Sequence, residues 1–499
     1  NPYREDKWDY DWFAIRNAWY FYDKVDMVND GTPQSYINQR KAEALGLVAQ
    51  RYYEMFKRYG GLPWIDHYIT MGESIDMSRM SITRTVDSIC SLLDRAIAMP
   101  ELPERNAVNE FGRVNKVALR MLKARVLLWS ASPLFNPEDN QSYYPSFNKQ
   151  ELIKHETYDK NRWQEAADAC LEAINAAHGA GYALYTKYGD PVKDYKAAVT
   201  EFPDIDANGT AKGNPEIIWG TRPADSYASE TYQSGSRVTI WSTLKQLRGT
   251  VGTYLIPLQN MVDKYELRNG SDQPADYWQT TSDPYNNLDR RFNATIYHHG
   301  YKLGKTVGPF TLDMRMEPAG DQYPAGAQNF TGYYLAKFFD DDYIAGAGNY
   351  PQAFWPYMRL SDLYLMYAEA LNEVDYASNS GEILHYVNLV RNRAGQPNLE
   401  DKPGFQATQA YVRECIRKER IVELCYEDQI YFDYKRWKVG DKYIGGNMYG
   451  MRITGDMENP TFSKFLYETR VWSSKWYLFP LYQTDVLTTN GVLAQNPGW

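Results

Sequence analysis

Ala42-Glu-Ala-Leu-Gly-Leu-Val-Ala-Gln-Arg-Tyr-Tyr-Glu-Met-Phe56 sets Ala42, Leu45, Ala49, Tyr52, Tyr53 and Phe56 at three- and four-residue steps, one face of a helix. Gly60-Gly61 and Pro63 follow, a glycine stop and then a residue that cannot continue the helix. The same period recurs on both sides. Trp12, Ile15, Trp19 and Tyr22 mark a helix between Trp8 and Val28. Ile82 to Met99 forms another, with Thr83 as its N-cap and Thr85, Ile89, Leu92, Leu93 and Ala96 on its apolar face. Val114, Val117, Ala118, Met121, Leu122 and Leu128 define a fourth, and Trp163 to Ala177 a fifth. Starts roughly 30 residues apart approach the tetratricopeptide period of about 34, so the spacing predicts an α-helical solenoid.

The texture changes over 179–356, where Gly, Pro, Asn, Asp and Tyr dominate and helical periodicity fades. Only Glu216 to Thr221 reads as a strand. Long loops on a rigid scaffold carry function more often than not. Periodicity returns at Tyr357 to Val374, Ile383 to Arg393 and Ala407 to Tyr426. The expected organisation is one domain over 1–499: helix pairs in 1–178, a loop-rich ligand-binding region in 179–356, further helices in 357–437 and an irregular closing segment in 438–499.

With 54 Lys and Arg against 63 Asp and Glu, the net charge is −9 and no basic stripe stands out. That argues against nucleic acid and against docking on an anionic bilayer, both of which require clustered cations. No run of about 18 apolar residues occurs. Cys90, Cys170, Cys415 and Cys425 are scattered through helical segments without disulfide or metal-ligand spacing. HExxH, Gly-x-Ser-x-Gly and phosphate-loop patterns are absent, and His298-His299 reads as a solvated loop pair. The unusual quantity is aromatic: 43 Tyr, 18 Phe and 14 Trp. A core alone has no reason to prefer Tyr, because each buried phenol requires a hydrogen-bond partner. Many of these rings are therefore expected at wet edges.

Several segments, in order, resemble the SusD/RagB family of surface glycan-binding lipoproteins. They are Gly112 to Leu128, Arg359-Leu-Ser-Asp-Leu-Tyr-Leu-Met-Tyr-Ala-Glu-Ala-Leu-Asn372, Val387-Asn-Leu-Val-Arg-Asn-Arg-Ala-Gly395, Glu414 to Trp437, and Leu478-Phe-Pro480 with Gln495-Asn-Pro-Gly-Trp499. The resemblance implies a mainly α fold, a tetratricopeptide-like α/α superhelix packed against an irregular, loop-rich region with few short strands. It also implies non-catalytic glycan capture on the outer face of an outer membrane. Attachment would be through an N-terminal lipid that this chain does not include, and the implied partner is a SusC-type TonB-dependent transporter. The alternatives are peptide or glycopeptide capture by the same kind of complex and, less in keeping with the motifs, a glycoside hydrolase.

The charges in these motifs, Arg420, Glu423, Glu427, Asp433, Arg436, Glu369 and Arg391, are expected as buried ion pairs that fix helix packing, not as a catalytic acid pair. Sugar contact calls for an aromatic face against the pyranose C–H groups, with polar side chains around its hydroxyls. The loop composition that supplies both points to Tyr227, Tyr232, Trp241, Tyr277, Trp278, Asp341, Tyr343 and Trp355. Asp204, Asp206 and Asn208 open like a calcium loop, but its twelfth position is Pro215 and Glu216 comes one later, so a plain Asp/Asn/Gly turn stands beside calcium binding. No other cofactor is expected.

Overall fold

The computed structural model describes residues 7–201, 204–205, 211–212, 214–221, 255–303, 310–317, 320, 329–338 and 355–499. The solenoid is present. Helices α1 (Lys7–Lys24), α2 (Gln34–Tyr59), α3 (Ile82–Ile97), α4 (Lys116–Ala131) and α5 (Asn161–Gly179) each pack on the next in sequence. After a shorter α6 (Pro191–Thr200) and the irregular region, α7 (Leu360–Arg393) packs directly on α5, and α8 (Gln409–Glu423) packs on α7. The superhelix thus runs through without a gap, and 179–356 is a side excursion between two touching helices. Helix α7 contains one break: Asp375 is extended, and its carboxylate accepts from Ala377 N at 3.2 Å and Ser378 Oγ at 2.6 Å.

The stops and starts have local causes. Gly60 has φ +81°, closed by its N–H on the Phe56 carbonyl at 2.9 Å. A Cβ on Gly61 would lie 2.1 Å from the Met80 carbonyl oxygen, so only glycine fits there. The N-cap of α3 is Ser81, which accepts from Arg84 N, and not Thr83. The Thr83 hydroxyl instead meets His155 Nδ1 at 2.8 Å, a tertiary contact that local spacing cannot foresee.

The strand expected at 216–221 is β1 (Ile217–Thr221), antiparallel to β2 (Trp355–Arg359). A second core, rich in rings, lies under the irregular region: Tyr265, Tyr277, Trp278, Tyr285, Phe292, Tyr297 and Tyr333 are all buried there. The closing segment is not irregular throughout. Residues β3 (Gly446–Gly455) and β4 (Pro460–Arg470) form an antiparallel hairpin whose Met451, Ile453 and Phe462 face that second core.

The motif charges form the expected network, and it joins the two parts. Glu423 is wholly buried and meets Arg359 at 2.5 Å, Arg291 at 3.0 Å and Arg393. Glu427 meets Arg359 at 2.8 Å and Lys337 at 2.6 Å. Arg391 meets Glu419 and Glu266, each at 3.0 Å. Arg420 bridges Asp362 and Asp433 at 2.9 and 3.0 Å, and Arg436 takes Glu369 at 2.6 Å. Glu266, Arg291 and Lys337 come from the excursion and their partners from α7, α8 and the segment after it. The pairs therefore clamp the irregular region to the superhelix. Burial alone would raise the Glu369 carboxyl, but Arg436 and its hydrogen bonds, with Arg420 and Trp437, bring it down to about 2. Burial likewise opposes ionisation of Glu423, and Arg393, Arg359 and Arg291 hold it well below the usual carboxylate range. Neither is therefore available as a proton donor at neutral pH.

Candidate functional site: loop roots and an aromatic groove

The two loop clusters singled out in the sequence are rooted at one place. Register pairs Thr221, where the 222–254 segment begins, with Trp355, where the 339–354 segment ends. The Trp355 N–H donates to Thr221 Oγ1 at 3.0 Å. Phe338, where 339–354 begins, packs its ring on Trp355 with centroids 5.2 Å apart. Gly220 allows the close approach of the strands: a Cβ there would lie 2.9 Å from the Trp355 carbonyl oxygen and 3.4 Å from the Phe111 ring.

Next to this root lies a groove of about 760 Å³ between α1 and α2. The join runs through Gly112, whose carbonyl accepts from Trp219 Nε1 at 3.0 Å, while the neighbouring Arg113 lines the groove. The walls carry Phe13 and Phe21 from α1 and Tyr36 and Leu47 from α2. Their exposure is unusual for rings on a helix face: 62% for Phe13, 40% for Phe21 and 46% for Tyr36. Ala14, Ala18 and Ala44 also line the groove, and their short side chains leave it open. At the end nearest the loop roots the lining is polar. Arg40 packs over the Tyr36 ring at 4.4 Å and pairs with Glu43, and with Glu110 at 3.0 Å. Arg113 meets Glu43 at 3.0 Å. Burial pushes the Glu43 carboxyl up, against the pull of Arg40 and Arg113. Rings along the walls offer apolar faces, and the fork donors at one end are already ion-paired.

The expected contact residues divide. Tyr227, Tyr232, Trp241, Asp341 and Tyr343 lie outside the described residues, as do Asp206 and Asn208. Trp355 is half-buried at the loop root. Tyr277 and Trp278 are 4% and 6% exposed in the second core, the first donating to the Pro284 carbonyl and the second to Gln273 Oε1 at 3.1 Å. In these positions they are core rings with their polar atoms spent, not a platform open to a ligand. His298 and His299 correct the expectation of a solvated pair. His299 is 5% exposed, and burial brings His298 down to about 4 and lowers His299. Glu216, the next acid after the calcium-like opening, is fully buried between Arg359 at 2.8 Å and Arg393 at 2.7 Å. Asp204 itself sits in a two-residue ladder, paired with Lys212. The groove was missed in the sequence because α1 carries rings on opposite sides. Trp8 and Trp19 repeat toward the core, while Phe13 and Phe21, eight residues apart, share the other face. That second spacing was the available signal.

Comparison with known proteins now bears on this architecture. SusD-like protein P2 of Formosa agariphila is 28% identical over 170 residues, 33% of this chain and 30% of that protein, so the match spans under a third of the relative. A SusD-like protein of Bacteroides fragilis superposes with a TM-score of 0.78 at 24% identity, covering 100% of this chain and 87% of that one. A SusD-like carbohydrate binding protein from the same species gives 0.69 at 18% identity, covering 96% and 84%. Surface glycan-binding protein A of Bacteroides thetaiotaomicron gives 0.56 at 17%, covering 98% and 84%. These superpositions establish the shared fold. The profile of the SusD family matches residues 215–499, more than half the chain and the part that holds the charge clamp, and the chain therefore belongs to the SusD family.

Proposed function

We propose that this protein captures an oligosaccharide or polysaccharide at a cell surface, leaves it chemically unchanged, and passes it to a SusC-type TonB-dependent transporter in the outer membrane. The observation that carries the reading is the aromatic groove of Phe13, Phe21 and Tyr36; its lining residue Arg113 adjoins Gly112, which accepts from Trp219 of the strand that ends at Thr221. Family membership supports it, as do the carbohydrate-binding and glycan-binding names of structural relatives. Tyr227, Tyr232, Trp241, Asp341, Tyr343 and Trp355 are the loop-borne contacts of this reading. A lipid-anchored position on the extracellular face belongs to the same proposal; among the described residues no helix is long and apolar enough to cross a membrane.

An open platform pays for ordering its ligand, so affinity should fall between micromolar and millimolar, roughly 4 to 8 kcal/mol. Calorimetry and affinity electrophoresis against a polysaccharide panel test it. Retardation by at least one glycan, with no reducing ends released, is the expected result. Failure of every glycan together with binding of peptides overturns it in favour of peptide capture. Since Glu216 is committed to two arginines, calcium at Asp204, Asp206 and Asn208 is not part of this reading. One equivalent of calcium in protein purified without chelator would reverse that reading.

A further inference from the structure

The stripe of α2 that faces the groove reads Tyr36, Arg40, Ala44, Leu47 and Arg51, in steps of four and three residues. Arg40 and Arg51 stand three turns apart, roughly 16 Å along the helix axis. Arg113 joins them in the lining, and against these three arginines the lining holds one carboxylate, Glu43. The three are not equally engaged. Arg40 and Arg113 share Glu43 and Glu110, each meeting both. Arg51 makes a single salt bridge among the described residues, from Nη1 to Asp11 Oδ1 at 3.3 Å. Asp11 is wholly buried and outside the lining, while the Arg51 side chain is 37% exposed within it. Asp11 is also a reluctant counter-ion. Burial raises its carboxyl to about 6 and Glu54 adds to the rise, against the pull of Arg51 and Arg58. A guanidinium carries several N–H donors in one plane, so most of the Arg51 fork remains for a group that enters the groove.

We propose that the groove selects a negatively charged glycan, whose carboxylate or sulfate group pairs with Arg51 while its sugar rings lie along Phe13 and Phe21. The ligand class follows from what the lining leaves unmet. A planar fork of donors matches two oxygens of a carboxylate or a sulfate, and the charge on both sides strengthens each hydrogen bond. A neutral hydroxyl takes one donor and brings no charge. A cation meets Arg51 as a like charge. A small inorganic anion satisfies the fork but leaves the exposed rings of Phe13, Phe21 and Tyr36 in water. An acidic sugar covers both needs, since its C–H faces lie on rings and its anionic group reaches the fork. Asp11 stands two residues before Phe13 on α1, so the under-engaged arginine and the most exposed of these rings belong to the same end of the groove. With a net charge of −9, the chain as a whole repels polyanions, so such binding reports this site and not a general attraction.

The selectivity rests on the glycan reading above, and its test separates the two. Affinity electrophoresis and calorimetry on the full chain at neutral pH use polygalacturonate beside its carboxyl-reduced form, and a sulfated galactan beside its desulfated form. At least one charged polymer should retard the protein, and its neutralised form should bind at least fivefold more weakly. Which pair shows the difference tells carboxylate from sulfate. Arg51→Gln should abolish the preference. So should Asp11→Asn/Arg51→Gln, which leaves no buried carboxylate without its partner and serves if the single variant does not fold. Asp11→Asn alone releases Arg51 and should tighten binding of the charged polymer at least twofold, a gain that a purely structural ion pair would not give. The proposal is overturned if charged and neutralised forms bind equally, if neutral glycans alone retard the protein, if the preference survives in Asp11→Asn/Arg51→Gln, or if Asp11→Asn brings no gain. Where neutral glycans still retard the protein, the glycan reading stands without the selectivity. Where no polymer of either kind does, both fall.

Discussion

Glu369 accepts Arg436 Nη1 at 2.6 Å and Nη2 at 2.7 Å on its two oxygens, and the Trp437 indole N–H at 2.7 Å, across 67 residues of sequence. Both charges are out of water, with Arg436 0% and Glu369 3% exposed. Removing one partner strands the other. Arg436→Met is expected to cost about 3–5 kcal/mol in guanidinium unfolding, while Glu369→Leu/Arg436→Met recovers most of that loss. Equal stability of the single and double variants would show that the pair does not hold the helices.

Trp278 and Trp355 should behave differently although both were singled out as sugar contacts. Trp278→Ala empties a core position and should cost about 3–5 kcal/mol, with any loss of binding following the loss of fold. Trp355→Ala is expected to weaken glycan binding while the melting temperature falls much less. Calorimetry beside thermal unfolding separates the two.

The groove rings are exposed, so removing them leaves the core alone. Phe13→Ala/Phe21→Ala should change unfolding free energy by no more than about 0.5 kcal/mol per site. Polysaccharide retardation in the gel is expected to fall at least fivefold. Unchanged retardation would move the site wholly onto the loops.

Asp11 gives a pH signature. Burial raises its carboxyl to about 6, with Arg51 opposing from 3.3 Å. The unfolded chain releases this proton near 3.8 and the folded one near 6, so the group costs stability as pH rises through that window, and the full cost stands above it. Asp11→Asn should therefore match the parent near pH 4 and gain about 1–2 kcal/mol above pH 6. A constant difference across that range would rule out titration of Asp11 as the cause.

Much of this is legible in the sequence. The 3.6-residue period at Leu45, Ala49, Tyr52 and Phe56 reports a buried helix face, and those residues are buried. Arg420, Glu423, Asp433 and Arg436 lie on the inward faces of their helices beside Ile416, Ile421 and Phe432, where a charge persists only if paired, and all are paired. What stayed hidden depends on distant neighbours. Thr83 lost its capping role to His155, 72 residues away. Composition does not separate Trp278, packed under the hairpin by Phe462, from a ring left open to solvent. The hairpin carries Gly446, Gly450 and Gly455, which weaken a strand pattern in the sequence. Gly450 makes room for the Phe465 ring, which a Cβ there would meet at 2.8 Å.

Phe338 and Trp355 touch, so the two ends of the 339–354 segment are held together by residues outside it. A stretch anchored in this way is interchangeable: doubling its length costs only about 0.6 kcal/mol in closure entropy, and neither the superhelix nor the charge clamp registers the change. The fold can thus keep one chassis while the segment strung between Phe338 and Trp355 is exchanged from one version to the next, without relearning how to fold.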